Sequence, residues 1–176
     1  MICVGIDPGK DGAVVAVNEN FEVVGWWLTK DDCTVRIGKG SKREYFDVRM
    51  AQILKELSEM EPGKVHVVIE KQQARPGQGG TSMFSIGLGI GLWRGCIASV
   101  GLPLITVHPK TWQKRVLRDV PGEGKGRSVL AAQGRFPTFE LAPGRKRKPH
   151  DGLADALCLC LYGLAELKGE REGKRR

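Results

Sequence analysis

Cysteine chemistry is the first thing this sequence lacks. Its five cysteines, Cys3, Cys33, Cys96, Cys158 and Cys160, are odd in number and contain no C-x-x-C pair, which excludes a disulfide framework and a thiolate zinc site. They read as reduced, buried, inert thiols of a cytosolic protein. A clean hydrophobic run is also missing: Met83 to Val107 is the longest apolar stretch, but Arg94 and Gly87, Gly89, Gly91, Gly95 and Gly101 interrupt it, so it makes a poor membrane span. The opening Met1-Ile-Cys-Val-Gly-Ile-Asp7 has no basic n-region, and no signal peptide is expected. No repeat or low-complexity block occurs. Negative charge is in deficit as well, with 20 Asp and Glu against 28 Lys and Arg, a net charge of +8 and a pI near 9.4.

What is present is an ordinary globular balance, 41% hydrophobic and 27% charged over 176 residues. That length suits one domain, expected over residues 1–168 and followed by a charged tail at 169–176. The surplus charge therefore sits on a folded surface, where it either attracts a polyanion or serves solubility alone.

Short β-branched runs at Ile2–Asp7, Ala13–Val17 and Phe21–Leu28, separated by turn residues, predict an antiparallel meander. A polar, basic loop is expected from Thr29 to Arg43. Apolar residues at Phe46, Met50, Ile53, Leu54 and Leu57 then trace one helix face, stopped by Pro62-Gly63. Val65–Ile69 predicts a strand buried on both faces, Ser82–Val100 a glycine-punctuated helix, Leu104–Val107 a strand, and Pro109 the start of a helix to about Arg118. A short helix ends near Phe136-Pro137, and the last runs from Asp151 to about Leu167. This order describes an α/β fold, a five-stranded mixed sheet flanked by helices on both faces.

Four carboxylates fall where chemistry is usually placed. Asp7 ends the first strand and Glu70 the fourth, while Asp151 and Asp155, four apart, share a helix face. Such hard oxygen ligands suit Mg²⁺ or Mn²⁺, and two ions could clamp both oxygens of an in-line phosphoryl displacement. Each acid also has a plainer reading: Asp7 as a turn residue, Asp151 as an N-cap, Asp155 as a solvated helix residue. Glu70 is harder to dismiss, because it continues Val67-Val-Ile69 into what should be buried ground.

Gly5-Ile-Asp-Pro-Gly9, Ile69-Glu70 and His150-Asp-Gly-Leu-Ala-Asp-Ala-Leu157 resemble, as a set, the metal-binding motifs of the RuvC-type Holliday junction resolvases, within the ribonuclease H-like superfamily. The resemblance spans about Ile2 to Leu164. It implies that Asp7, Glu70, Asp151 and Asp155 hold two divalent ions, Mg²⁺ with Mn²⁺ able to substitute, and cleave a DNA phosphodiester to leave a 5′-phosphate. The family usually spaces its last two ligands three residues apart, whereas Gly152 lies three before Asp155. Asp151 or His150 must then serve, Asp151 being favoured by charge and helix face.

The same resemblance points to how DNA is held. His108-Pro-Lys-Thr-Trp-Gln-Lys114 followed by Lys125 is similar to the segment that brings lysines to the scissile phosphate, which casts Lys125 as the group stabilising transition-state charge. Lys110, Lys114, Arg115, Arg118 and Arg127, with the basic loop Arg145-Lys146-Arg147-Lys148, are candidate phosphate contacts; a solvated face is the alternative. Gln72, Gln73, Arg75 and either Met83 or Phe84 are candidates at the junction crossover. Gly87, Gly91 and Gly95 stripe one helix face, packing either on the sheet or at a homodimer interface. Glycine costs a helix about 1 kcal/mol relative to alanine, so close packing of some kind is implied. The expectation is a homodimeric nuclease acting on four-way DNA junctions in the cytoplasm, with no membrane partner. Its rivals are a ribonuclease H-like enzyme on RNA–DNA hybrids and a non-catalytic junction-binding protein.

Overall fold

A computed structural model describes residues 1–72, 77, 79–124, 126–144 and 147–173, with side chains as far as residue 169. Strands β1 (Ile2–Ile6), β2 (Ala13–Asn18) and β3 (Val23–Leu28) form the expected meander. Strands β6 (Val65–Glu70) and β7 (Leu104–Val107) complete a five-stranded sheet in the order β3-β2-β1-β6-β7. The β1–β2 and β2–β3 pairs are antiparallel, and β1–β6 and β6–β7 are parallel.

Between β3 and the first long helix the structure departs from the expected loop. Residues 29–45 form a helical turn α1 (Thr29–Asp32) and a two-stranded hairpin of β4 (Thr34–Arg36) and β5 (Arg43–Tyr45). Polar composition hid it, because both strands are short and the hairpin is largely solvent-exposed, so no apolar alternation marks it. The remaining helices are α2 (Asp47–Met60), α3 (Gly80–Val100), α4 (Pro109–Val116), α5 (Gly126–Arg135) and α6 (Asp151–Gly173), the last extending beyond the expected end at Leu167.

Strand alternation divides the core in two. Ile2, Val4, Ile6, Val67 and Ile69 face α2 and α3, whereas Cys3, Val15, Val17 and Val68 face α6 with α4 and α5. Gly5 and Gly163 let α6 lie directly on the sheet: a Cβ at 163 would stand 2.5 Å from both Cys3 Sγ and Val68 Cγ2. All five cysteines are buried free thiols, as expected. Burial raises Cys33 and Cys158 to about 12 and pushes Cys160 and Cys96 up as well.

Candidate active site

Parity places the first two acids. Ile6 of β1 pairs with Ile69 of β6, so Asp7 and Glu70 are the next residues out of neighbouring parallel strands. Counting by twos from Cys3 and from Val68 puts both on the α6 side of the sheet. Asp7 N–H still donates to Ala13 O (3.0 Å), which holds the residue in the ladder.

A glycine contact supplies the other two. Gly152, in the first turn of α6, lies against the β1–β2 turn so closely that a Cβ there would stand 2.7 Å from Gly12 Cα. No side chain fits at 152, which gives a physical reason for the acid standing at 151 instead. His150 occupies the cap position: its Nδ1 accepts from Leu153 N–H (3.3 Å) and its backbone O from Leu153 and Ala154. Asp151 is therefore not the helix cap and is exposed, with Asp155 one turn on and half-buried.

Asp7, Asp151, Asp155 and His150 line one cleft of about 1460 Å³. Glu70 opens instead toward a smaller one of about 470 Å³, lined also by Gln72, Arg94 and His108. Trp112 Nε1 donates to Glu70 Oε2 (2.7 Å), and Gln72 Nε2 donates to Oε1 (2.8 Å). The donor set fits a hard divalent cation, being carboxylates on rigid elements with one imidazole beside them. As the side chains stand, no three of the described His, Cys, Asp and Glu residues converge on one point. Trp112 and Gln72 thus fix the orientation of the Glu70 carboxylate, each leaving its oxygen a further lone pair for a cation.

Two side chains here had no signal in the sequence. Trp112, 0% exposed, reaches Glu70 from α4 across a span of 42 residues, a contact set by tertiary packing alone. Tyr45 donates from Oη to Pro8 O (3.4 Å), next to Asp7. Burial, with the Asp7 and Asp11 charges, pushes its phenol up to about 12, so it stays neutral at the edge of the cleft.

The predicted cations divide. Lys110, Lys114, Arg118, Arg147 and Lys148 are exposed, and Lys148 lines the cleft. Arg115 is engaged by Glu166 of α6 and lies over the Tyr162 ring at 5.7 Å, while Arg127 donates to Val120 O (3.1 Å) and to Leu117 O. Both guanidinium groups tie elements together. Of the crossover candidates, Gln72 is held on Glu70, and Met83 and Phe84 are exposed, Phe84 to 72%. Gln73, Arg75, Lys125, Arg145 and Lys146 lie outside the described residues.

The glycine stripe faces outward. Among the described residues, and apart from the helix's own backbone and the adjoining residues, no atom lies within 4 Å of a Cβ placed at Gly87, Gly91 or Gly95, so of the two packing expectations the sheet is not met. By length and composition α3 could cross a membrane, although Gly89, Trp93, Cys96 and Ile97 bury its inner face.

This meander continued by two parallel strands, with helices on both faces, is a ribonuclease H-like fold. No family model matches the chain, and no curated protein matches it. Solved structures do. Thermus thermophilus RuvC in complex with a Holliday junction substrate aligns at a TM-score of 0.65 and 18% identity, covering 96% of each chain. A second Thermus thermophilus RuvC structure aligns at 0.55 and 18%, over 96% of this chain and 97% of that one. The yeast mitochondrial Holliday junction resolvase Ydc2 aligns at 0.58 and 15%, over 97% and 81%.

Proposed function

We propose that this chain is a divalent-metal-dependent endonuclease that resolves four-way DNA junctions by paired symmetric cleavage, leaving 5′-phosphates. The observation that carries the reading is one cleft holding Asp7, Asp151 and Asp155, created by sheet parity and the Gly12–Gly152 contact. It occurs in a fold shared with proteins solved as junction resolvases. When bound, two Mg²⁺ ions, or Mn²⁺ in their place, would supply an activated water and neutralise charge at the scissile phosphate. The chain's own residues do the rest. Asp7, Asp151 and Asp155 would hold the ions with Glu70, His150 would serve as a further ligand or proton carrier, and Lys125 would add positive charge at the phosphate.

Lys110, Lys114, Arg118, Arg147 and Lys148 carry the DNA backbone, a role their exposure supports. A homodimer follows from the substrate, since two nicks on opposite strands require two sites related by a two-fold axis. The open stripe of Gly87, Gly91 and Gly95, flanked by exposed Phe84 and Leu88, supports α3 as its interface. Five buried free thiols suit a reducing cytoplasm. The test is Asp7→Asn: cleavage in Mg²⁺ is lost while junction binding is kept. A mutant that still cuts would remove Asp7 from the site, and a wild-type chain that binds but never nicks, in Mg²⁺ or Mn²⁺, would favour a non-catalytic junction binder.

A further inference from the structure

We propose that the β4–β5 hairpin is a duplex-binding arm, gripping the phosphate backbone of one DNA arm at the mouth of the carboxylate cleft. The inference rests on the reading above that DNA enters this cleft, and it adds an element that reading does not use.

The hairpin has a fixed base. Tyr45 at its end packs so closely on α3 that a Cβ at Gly89 would stand 2.7 Å from Tyr45 Cζ, and its hydroxyl donates to Pro8 O. Arg43 donates from Nε to Thr34 Oγ1 (2.6 Å) and from Nη2 to Thr34 O (3.2 Å), cross-bracing the two strands. Lys10 Nζ donates to Arg43 O (2.7 Å) and lies 5.4 Å from the centre of the Tyr45 ring. Phe46 N–H donates to Cys33 O (2.8 Å), tying the chain together just below the strands. These contacts anchor the ribbon to the same Asp7-Pro8 turn that carries the first carboxylate.

Its free end is cationic. Between Thr34 and Tyr45 stand four basic residues, Arg36, Lys39, Lys42 and Arg43, against the single acid Glu44. Arg43 is engaged in bracing, whereas Arg36, Lys39 and Lys42 are exposed. Among the described residues Lys42 makes a 3.8 Å pair with Glu44, both side chains being largely in solvent, which holds neither in place. Ile37 N–H donates to Lys42 O (3.0 Å) and closes the tip. Arg36 shares a strand face with Thr34, whose side lines the cleft, and Lys42 lines the cleft itself. Lys148 lines the same cleft. A strand whose phosphate reached Asp7 would thus enter a cleft lined by cations from both segments. A two-stranded ribbon is also narrow enough to follow a duplex groove.

The test measures equilibrium binding of the full-length protein to a labelled four-way junction in EDTA, across a range of salt concentrations. The triple variant Arg36→Ala, Lys39→Ala, Lys42→Ala is compared with the wild type and with a Lys39→Arg, Lys42→Arg control. Loss of three phosphate contacts is expected to weaken binding by roughly tenfold or more, and to flatten the plot of log K against log[salt] by about three units. The arginine control should bind as the wild type does. Unchanged affinity overturns the proposal. So does weaker binding with an unchanged salt slope, because that outcome reports damage to the fold and not lost charge contacts. Because no metal is present, the result is independent of cleavage. If the triple variant shows the slope change but the wild type never nicks DNA in Mg²⁺, the nuclease reading fails and the arm stands, while a nicking wild type with an unaffected triple variant does the reverse.

Discussion

Helices α3 and α6 look alike as sequence: 21 and 23 residues, rich in apolar side chains and dotted with glycine. In the structure they use glycine for opposite ends. Along α6, Gly152 and Gly163 stand where a Cβ would collide with Gly12, Cys3 or Val68, and Gly5 of β1 makes the same allowance from the sheet side. Along α3 only Gly89 is filled in this way, by Tyr45, and Gly87, Gly91 and Gly95 meet open space. A helix glycine costs about 1 kcal/mol relative to alanine, so each needs a reason. For Gly152 and Gly163 the reason lies inside the chain, whereas Gly169 at the far end of α6 meets open space too; for Gly87, Gly91 and Gly95 the proposed homodimer interface would supply it.

Substituting glycines is the strongest way to break that contrast. Gly152→Ala forces α6 away from the β1–β2 turn, and overpacking of that kind costs about 2 kcal/mol. It should also separate Asp151 and Asp155 from Asp7, so that cleavage is lost beyond what the lowered stability explains. Denaturant unfolding alongside single-turnover cleavage checks both effects; a variant as stable and as active as wild type would refute the close contact. Gly91→Ala should do the opposite to the isolated chain, stabilising it by up to about 1 kcal/mol while weakening self-association in sedimentation. If self-association is unaffected, the open stripe is not the interface.

A second contrast sets Glu70 apart from the other acids, since it is held by Trp112 and Gln72 in a neighbouring cleft. Trp112→Phe keeps an aromatic ring in the core and removes the donor. A hydrogen bond to a charged group is worth about 1.5–3 kcal/mol, and cleavage should fall by roughly tenfold with a raised Mg²⁺ requirement. Unchanged metal dependence would show that the indole serves packing alone.

An effect confined to alkaline pH comes from the buried thiols, Cys33 on the α2–α3 side of the sheet and Cys158 within α6. Burial pushes the Cys33 and Cys158 thiols up to about 12 from an ordinary value near 9. Between those values the unfolded chain has released protons that the native chain retains, so stability is full below about pH 9 and declines above it. The slope is about 1.4 kcal/mol per pH unit for each such thiol. Melting temperatures across pH 8–11 test this, and Cys158→Ala should flatten the decline.

The sequence made much of this legible, and unevenly. The sheet follows from alternation and turn residues, because Ile2–Ile6, Ala13–Asn18 and Val65–Glu70 are buried on both faces and have to be apolar. Asp7 and Glu70 stand out as acids ending such strands. Asp151 could not be told from a cap until His150 was seen at that position. Nothing local announced the β4–β5 hairpin or the Trp112–Glu70 bond, since an exposed polar ribbon has no hydrophobic period and a long-range hydrogen bond leaves no spacing to read. The dual meaning of glycine was equally hidden: Gly87 and Gly163 differ only in what stands opposite them.

The most direct measurement of the central claim is an immobile four-way junction, labelled in turn on each of its four strands and incubated with the protein and Mg²⁺. The account predicts two nicks at symmetric positions on opposing strands, with ends that DNA ligase reseals. Binding without nicks, or cuts scattered without symmetry, would contradict it.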